Sequence, residues 1–379
     1  MRILMLTCNN ALQDGINRHI LAIVPALNRM PRCQVAVCTT FASGEFNDEL
    51  EKAGVKTYAL GLPHGHSLRT WGRFRRVLHD FRPDVIHAHV IGLMERLYLG
   101  IACPRLPIVG TCHGITDYES GVRRRTFRDR VDALLNMVLP GKVRKTIYIS
   151  HGVAIAKGCP EGLIAYNPVS FDEDEADRVT NVLRTELGLS ADVPIIGTAC
   201  RVAPPKKPHA FVRVMCEVLK SLPEAHAVVC GTSQDSGLMR ELEEMVDASG
   251  VVGRFHWLGY RKDAPQLTRE LNCFVMTSAT EGMPTALLEA MAVKTPIAFM
   301  RGKGGLVDLD ELNEREGPFA VIADSEDYDG LAQGIVGMLQ NKSMARRLAQ
   351  RAFEVGLRHF TIERTCDQLI SVYRSVSTR

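Results

Sequence analysis

Short apolar runs alternate with helical stretches along this chain, and the alternation occurs twice. In the first half the apolar runs predict strands at Ile3–Thr7, Gln34–Thr39, Lys56–Leu60, Asp84–His89, Pro107–His113 and Thr146–Ser150. In the second half they predict strands at Ile195–Cys200, Ala227–Gly231, Phe255–Leu258, Cys273–Thr277, Ile297–Met300 and Ala320–Ala323. Helical patterns separate several of these runs: Arg18–Asn28, Leu68–Phe81, His209–Ser221, Gly237–Ala248 and Thr285–Ala292. Alternating strands and helices favour a parallel, doubly wound sheet, so two sets predict an α/β protein with two Rossmann-like domains.

The boundary between the two sets falls in Asn167–Asp177, where an Asn-Pro pair and an acidic run interrupt the pattern. A length of 379 residues also favours two domains. We therefore predict a first domain at 1–170 and a second at 171–359. No strand follows the last helical segment, so we expect residues 360–379 to pack on the first domain.

The composition is that of a globular protein, with 46% hydrophobic and 23% charged residues. The 11 cysteines are scattered singly without a C-x-x-C pair, which favours reduced thiols and a cytoplasmic location. The chain lacks an apolar run of 18 residues, and its N-terminus is more typical of a buried strand than of a signal peptide. The first 170 residues carry 22 Lys/Arg against 13 Asp/Glu, which favours an anionic partner for this half.

The stretch Thr-Ser-Ala-Thr-Glu-Gly-Met-Pro-Thr-Ala-Leu-Leu-Glu-Ala-Met-Ala, residues 277–292, is the most informative motif. It places Glu281 in a strand-to-helix loop and Glu289 inside the helix, with Pro284 suited to the first helical turn. Backbone N–H groups from Gly282 onward would favour an anion. Two carboxylates beside an anion site fit a ligand that also carries hydroxyl groups, such as a nucleotide sugar.

Other polar residues follow strands at the carboxyl end, where ligands bind in open parallel sheets. Arg201 and Lys206 lie on a proline-rich loop after Ile195–Cys200, and the two cations could converge on a diphosphate. The alternative is a solvated basic loop. Gly15 lies between the first strand and a helix, where it would let the backbone approach a ligand or simply form a turn. The first loop contains no G-x-G-x-x-G motif, which weighs against a dinucleotide redox enzyme.

Histidines also occur at strand ends. His87 and His89 would share one face of a strand, but the sequence near them supplies no further ligand cluster, so we predict no metal site. His113 ends the next strand, where we favour a polar role over a purely structural one.

The first half also contains a basic amphipathic segment with the arginines Arg123, Arg124, Arg125 and Arg128. The simpler interpretation is a helix with a solvated basic face. The alternative is a docking surface for anionic lipid headgroups or an anionic acceptor. Nucleic acid is disfavoured because aromatic residues are not interleaved with the basic ones.

Taken together, these residues resemble retaining glycosyltransferases of family 4 with the GT-B fold. The resemblance covers nearly the whole chain and is strongest over 194–300. Its most specific part is Glu-Gly-Met-Pro-x4-Glu-Ala-Met-Ala, which looks like the E-x7-E signature of the family. The resemblance implies two Rossmann-like domains whose parallel sheets face a central cleft, the first domain binding the acceptor and the second the donor.

The resemblance also implies roles for residues of the second half. Arg201 and Lys206 would hold the donor diphosphate, Glu281 would contact the sugar near the reacting carbon, and Glu289 would bind the ribose hydroxyls. Backbone N–H groups of the loop would complete the phosphate site: Gly282, Met283 and Thr285. In the first half, His113 would lie beside the donor sugar and Gly15 would approach its phosphates. Such enzymes usually need no metal, and no cofactor is expected beyond the donor substrate.

The sequence thus predicts a metal-independent glycosyltransferase that moves a sugar from a nucleoside-diphosphate sugar to a hydroxyl acceptor with retention of configuration. We expect a carbohydrate or lipid-linked acceptor, and a cytoplasmic enzyme that contacts the inner face of the membrane if the basic segment binds lipid. Cell-surface polysaccharide or glycolipid synthesis is the expected context. The alternatives are a non-hydrolysing nucleotide-sugar epimerase and a non-catalytic nucleotide-sugar-binding protein.

Overall fold

The computed structural model describes residues 1–7, 15–61, 68–89, 99, 105–115, 143–178 and 180–377. The chain divides into two compact units. The first comprises Met1–Pro168 together with Ile362–Arg379, and the second comprises Val169–Thr361. The division after Pro168 lies within the stretch where the sequence pattern is interrupted.

The first unit contains seven strands among its described residues: β1 (Arg2–Thr7), β2 (Gln34–Thr39), β3 (Lys56–Ala59), β4 (Val85–Ala88), β5 (Ile108–Cys112), β6 (Val143–Tyr148) and β7 (Leu163–Ile164). Its described helices are α1 (Gly15–Arg29), α2 (Glu45–Lys52), α3 (Leu68–Phe81) and α4 (His151–Ala156). The strands pair in parallel in the order β3-β2-β1-β4-β5-β6-β7. This is a doubly wound sheet in which the strand order reverses between β1 and β4.

Both faces of this sheet are buried, because successive side chains of a strand point to opposite faces. Ile3 and Met5 of β1 pack in one apolar cluster with residues of α1. Leu4, between them, packs in another cluster with Phe74 of α3. The continuous apolar runs of the sequence reflect this burial on both faces.

The C-terminal helix belongs to the first unit although it follows the second in sequence. Its span is Ile362–Ser377, and its residues Leu369, Tyr373 and Val376 are buried in the same cluster as Ile3. The Arg144 guanidinium also donates to the carbonyl of Val376 at 3.3 Å. Apolar side chains at helical spacing give this helix one buried face, and the core of the first unit covers it.

The second unit repeats the architecture. Its strands are β8 (Ile195–Ala199), β9 (His226–Cys230), β10 (Phe255–Gly259), β11 (Cys273–Met276), β12 (Thr280–Glu281), β13 (Ile297–Met300), β14 (Lys303–Gly304) and β15 (Val321–Ala323). Its helices are α5 (Glu173–Ala176), α6 (Val182–Leu187), α7 (Pro208–Ser221), α8 (Ser236–Ser249), α9 (Ala264–Thr268), α10 (Thr285–Ala292), α11 (Gly305–Arg315), α12 (Tyr328–Gln340) and α13 (Lys342–His359). The C-terminal helix of the first unit is α14 (Ile362–Ser377).

The main sheet of the second unit has the order β10-β9-β8-β11-β13-β15, and all its pairings are parallel. The order reverses between β8 and β11, so the loops after these two strands flank the crevice where such sheets bind ligands. A large apolar cluster holds α7, α8 and α12 against this sheet, with Phe211, Leu242 and Ile335 among its buried members. The predicted α/β class with two doubly wound sheets is confirmed.

None of the helices that the structure describes combines the length and the apolar character needed to cross a membrane.

Candidate functional site

The first part of the site is the loop after β8. Arg201 follows the strand closely and is exposed. The chain then makes one 3-10 turn, Pro204–Lys206, before α7 begins at Pro208. The two prolines stiffen this turn, because each fixes its own φ. Lys206 is thereby held at the carboxyl edge of the sheet, and Arg201 lies at the same edge because it directly follows the end of β8.

The second part is the segment after β11, on the other side of the strand-order reversal. The Lys206 ammonium donates to both oxygens of the Glu281 carboxylate, Nζ to Oε1 at 2.6 Å and Nζ to Oε2 at 2.7 Å. The side chains of Lys206 and Glu281 are 21% and 10% exposed. The structure therefore brings together two residues that are 75 positions apart.

Several hydrogen bonds fasten the Arg201–Lys207 loop to its neighbours. On one side, the backbone N–H of Val202 donates to the carbonyl of Thr232 at 3.0 Å. On the other side, the backbone N–H of Ala279 donates to the carbonyl of Pro205 at 2.9 Å. The Thr277 hydroxyl lies 3.2 Å from the carbonyl oxygens of both Lys206 and Lys207. The loop is thus tied to the segments that follow β9 and β11.

Glu281 itself lies in a small parallel sheet formed by β12 and β14. Glycines allow the close approach. A Cβ on Gly302 would lie 2.9 Å from the carbonyl oxygen of Ser278, and one on Gly305 would lie 2.8 Å from Cα of Met283. The N–H of Gly305 donates to the carbonyl of Gly282 at 3.1 Å. The glycine-rich turn at residues 302–305 therefore packs directly against the Ser278–Met283 backbone.

The acidic stretch after this turn is part of α11. Asp308 is buried in this helix, and Asp310 accepts hydrogen bonds from the Arg301 guanidinium, with Nε to Oδ2 at 2.7 Å. Arg301 also contacts Asp324 at 2.7 Å. These ion pairs hold the ends of β13 and β15 together at the same edge of the sheet.

Helix α10 begins at Thr285, with Pro284 at its N-cap. The Thr285 backbone N–H donates to the carbonyl of Met283 at 2.8 Å, so the protein itself occupies this amide in the present structure. Met283 is buried, whereas Glu289, one turn further along α10, is half-buried. Glu281 and Glu289 consequently lie on consecutive elements of one rigid segment.

A pocket lies beside this ion pair in the second unit. Its lining includes Cys200, Lys206, Trp257, Thr277 and Ser278. Burial raises the pKa of the Cys200 thiol, so this cysteine is neutral at physiological pH. The rest of the lining is mainly apolar, with Val202, Phe211 and Val229 beside the Trp257 ring, and Lys206 lies at this apolar wall.

The remaining predicted residues that the structure describes belong to the first unit. Gly15 is the first residue of α1 and is exposed. His113 directly follows β5 and lies in a cluster with three other histidines. Its Nε2 is 2.9 Å from Nδ1 of His89, and its ring centroid is 5.4 Å from that of His19.

His87 anchors this histidine cluster to the C-terminal helix. Its Nδ1 lies 2.6 Å from the Tyr373 hydroxyl, and its Nε2 lies 2.6 Å from the Thr111 hydroxyl. The rings of His87 and His89 are tilted by 32° to one another, with centroids 4.2 Å apart. Among the residues that the structure describes, Nδ1 of His19 and Nε2 of His89 are buried without a hydrogen-bond partner.

Burial keeps this cluster neutral. It lowers the pKa of His19 from 6.5 to about 4 and that of His87 to about 3. Burial and the neighbouring histidines lower the pKa values of His89 and His113 well below 6.5. Near neutral pH the His113 ring is therefore neutral.

Two further predictions concern the basic segment and the lack of a metal site. Arg123, Arg124, Arg125 and Arg128 lie outside the described residues. Within the described ranges, no group of three or more His, Cys, Asp or Glu side chains is arranged to hold a metal ion.

The sequence did not predict two residues that contact the candidate site residues, Thr277 beside Lys206 and His19 beside His113. Thr277 lies inside the quoted motif, but a threonine after a buried strand carries no signal for the carbonyls that it contacts. His19 was also missed, because nothing in the periodicity of α1 indicates that it meets His89 and His113. Its signal was indirect: α1 begins at the ligand-binding edge where these histidines end their strands.

Comparison with known proteins covers both halves of the chain. A family model described as "Glycosyltransferase Family 4" matches residues 13–155, and one described as "Glycosyl transferases group 1" matches residues 180–355. The two matches lie on either side of the division between the compact units.

Two similar proteins are named as glycosyltransferases. The chain is 26% identical over 198 residues to a lipopolysaccharide core biosynthesis glycosyltransferase, LpsE, of Rhizobium meliloti, covering 52% of this chain and 55% of the relative. It is 28% identical over 246 residues to a 2-deoxystreptamine N-acetyl-D-glucosaminyltransferase of Streptomyces fradiae, covering 60% and 57%. The chain thus spans little more than half the length of these relatives.

Solved structures show the same fold over the full length. A crystal structure of Anabaena HepE in complex with UDP and glucose matches with a TM-score of 0.78 at 20% identity, covering 99% of this chain and 100% of that one. The structure of WaaG, a glycosyltransferase involved in lipopolysaccharide biosynthesis, matches with a TM-score of 0.70 at 12% identity, covering both chains fully. Both halves of the sequence and the full-length fold agree, and the chain belongs to the family 4 glycosyltransferases of the GT-B fold.

Proposed function

We propose that the protein transfers a sugar from a nucleoside-diphosphate sugar to a hydroxyl acceptor with retention of anomeric configuration. The observation that carries this proposal is the contact between Lys206 and Glu281 where the strand order of the second sheet reverses. In this proposal Lys206 is the cation that binds the diphosphate, and Glu281, beside it, is the carboxylate that contacts the sugar. The similar HepE structures contain UDP, UDP-glucose, or UDP with glucose, which supports a nucleotide-sugar donor. Retention rests on the family resemblance.

Negative charge develops on the diphosphate as the bond to the sugar breaks. In our proposal Lys206 and Arg201 stabilise this charge, aided by the backbone amides at the start of α10. Glu281 faces the sugar carbon, where positive charge develops, and Glu289 binds the ribose. On the family resemblance, His113 contributes a neutral hydrogen-bonding group to the donor sugar and Gly15 approaches its phosphates.

We further propose that the reaction needs no metal ion. In this proposal two side-chain cations, Arg201 and Lys206, and helix-terminus amides supply the charge that a divalent cation supplies in other transferases. Transfer that persists undiminished after chelation with EDTA is the expected result. Loss of transfer on chelation, restored by Mg²⁺ or Mn²⁺, would contradict this part of the proposal.

For the acceptor we propose a carbohydrate, free or lipid-linked, in the synthesis of a cell-surface polysaccharide or glycolipid. The names of the Rhizobium meliloti relative and of WaaG support this context. Contact with an anionic membrane and a cytoplasmic location stay predictions of the sequence.

The first experiment is a thermal-shift screen of nucleotide sugars, followed by product analysis with candidate acceptors. We expect one nucleoside diphosphate and its sugar to raise the melting temperature, since a ligand that binds only the folded state stabilises it. Incubation of that donor without acceptor tests the epimerase alternative, because an epimerase converts its substrate alone. Failure of every nucleotide sugar to stabilise the protein would overturn the proposed function.

A further inference from the structure

Lys206 lies in a turn whose backbone needs outside support. The residues Pro204–Lys206 form a single 3-10 turn, and Lys207 has φ 46°, in the left-handed region. A non-glycine residue in that region is strained and persists where neighbouring structure holds it. Lys207 is also the N-cap of α7, and its side chain provides no capping hydrogen bond.

Thr277 provides part of this support. Its hydroxyl oxygen lies 3.2 Å from the carbonyl oxygens of both Lys206 and Lys207. A threonine hydroxyl has one proton, so the two carbonyls share it in a three-centre hydrogen bond. Thr277 is only 4% exposed, so water does not readily replace this donor. The Ala279–Pro205 backbone hydrogen bond ties the same two segments together.

One segment contacts both the backbone and the side chain of Lys206. Thr277 contacts its carbonyl oxygen, and Glu281, four residues later, contacts its ammonium. We propose that Thr277 is a positioning residue: its hydroxyl holds the backbone of Lys206 so that the ammonium is directed to the diphosphate of the donor. The inference rests on the proposed function, since it takes Lys206 as a ligand of the diphosphate. It adds a role for a residue whose hydroxyl is engaged by the carbonyls of Lys206 and Lys207.

Calorimetric binding of UDP, GDP and ADP tests this role. Thr277→Val keeps the shape and removes the hydroxyl, and we expect it to weaken binding of the preferred diphosphate by about tenfold. Thr277→Ser restores a hydroxyl and should bind within about threefold of wild type. If Thr277→Val does not fold, Thr277→Ala removes the same donor without placing a methyl group against the carbonyls.

Thr295→Val is the matched control. Thr295 is 2% exposed, lies in the same unit, and donates through its hydroxyl to the carbonyl of Thr268 at 2.9 Å. Its loss removes a buried threonine hydrogen bond away from Lys206. We expect a lower melting temperature with unchanged diphosphate affinity. Equal weakening of affinity in Thr277→Val and Thr295→Val would overturn the positioning role.

A double-mutant cycle separates positioning from a general structural effect. If Thr277 acts through Lys206, then Thr277→Val should cause no further loss of affinity in the Lys206→Ala background. Additive losses, or wild-type affinity in Thr277→Val, would overturn the proposal. Wild-type affinity in Lys206→Ala would show that Lys206 is not a diphosphate ligand, which removes the basis of the inference. A wild-type protein that binds none of the three diphosphates would instead overturn the proposed function itself.

Discussion

The Lys206 ammonium contacts both oxygens of the Glu281 carboxylate, at 2.6 and 2.7 Å, in a site where neither side chain is more than 21% exposed. Half-buried ion pairs are stronger than surface pairs because solvent screens them less. Under the proposed function, a diphosphate that binds Lys206 would compete with Glu281 for the ammonium. The carboxylate would then be free to contact the sugar, so one ion pair would link donor binding to the proposed catalytic group.

Glu281→Gln should separate donor binding from turnover. The amide keeps the shape of the side chain but removes the charge that competes for Lys206. We expect nucleoside-diphosphate affinity at least equal to wild type, while kcat falls by about 100-fold or more. Calorimetry and initial rates with the identified donor provide the two measurements. A near-normal kcat would show that the charge of Glu281 does not support the transition state.

Lys206→Ala and Arg201→Ala should each remove about 2–4 kcal/mol of transition-state stabilisation, measured as kcat/KM. Lys207→Ala is the matched control, because Lys207 is adjacent but its Nζ lies near Ser325 and Glu326 instead, at 3.5 and 3.8 Å. We expect Lys207→Ala to retain kcat/KM close to wild type. Similar losses in all three variants would indicate a diffuse effect of positive charge in place of specific contacts.

Gly305→Ala should destabilise the protein by about 1–3 kcal/mol, because the new methyl group would overlap Met283 and the Gly282 carbonyl. Gly337→Ala is the contrasting variant. A Cβ on Gly337 meets no atom within 4 Å, and the residue lies in α12. This substitution should stabilise by about 0.4–1 kcal/mol. Urea denaturation gives both values, and equal effects of the two substitutions would refute the close packing of Gly305, at the start of α11, on the Gly282–Met283 backbone.

Acid should weaken the first unit as pH falls from about 6.5 towards 4. The unfolded chain binds protons at its histidines near pH 6.5, whereas burial lowers the pKa of His19 to about 4 and that of His87 to about 3. The cluster therefore contributes full stability above pH 6.5 and loses about 1.4 kcal/mol per histidine for each pH unit below it. Chemical denaturation from pH 7 to 4.5 measures this slope, and His19→Leu should reduce it by about one proton. An unchanged slope in that variant would contradict a buried, neutral His19.

The second unit should respond in a lower pH window. Burial alone would raise the pKa of Glu316, but hydrogen bonds from Arg358 and His359 outweigh it and lower this pKa from 4.5 to about 2. The carboxylate contributes stability above pH 4.5, which is lost as pH falls towards 2. Glu316→Gln should remove this dependence. A variant that retains the wild-type acid transition between these values would assign the transition to another group.

Sequence reasoning performed best where local pattern decides structure. All twelve predicted strands overlap observed strands, and the ends of eleven agree to within one residue, because a short apolar run between turn residues usually forms a buried strand in a doubly wound fold. The strand at 146–150 was placed late, since β6 begins at Val143 with polar residues alternating along it. The two-residue strands β7, β12 and β14 were not predicted, because two residues cannot carry a periodic signal.

By itself the sequence determined the α/β class, the two sets of alternating elements, the family, and the loops after strands where site residues should be sought. Those features depend on local periodicity and on motifs of neighbouring residues. Only the tertiary structure decided that Lys206 meets Glu281, that Thr277 meets the carbonyls of the Lys206 turn, and which residues of the last helix are buried in the core of the first unit. The reason is physical: these contacts join residues far apart in the chain, and the order of the parallel strands determines which strand ends become neighbours.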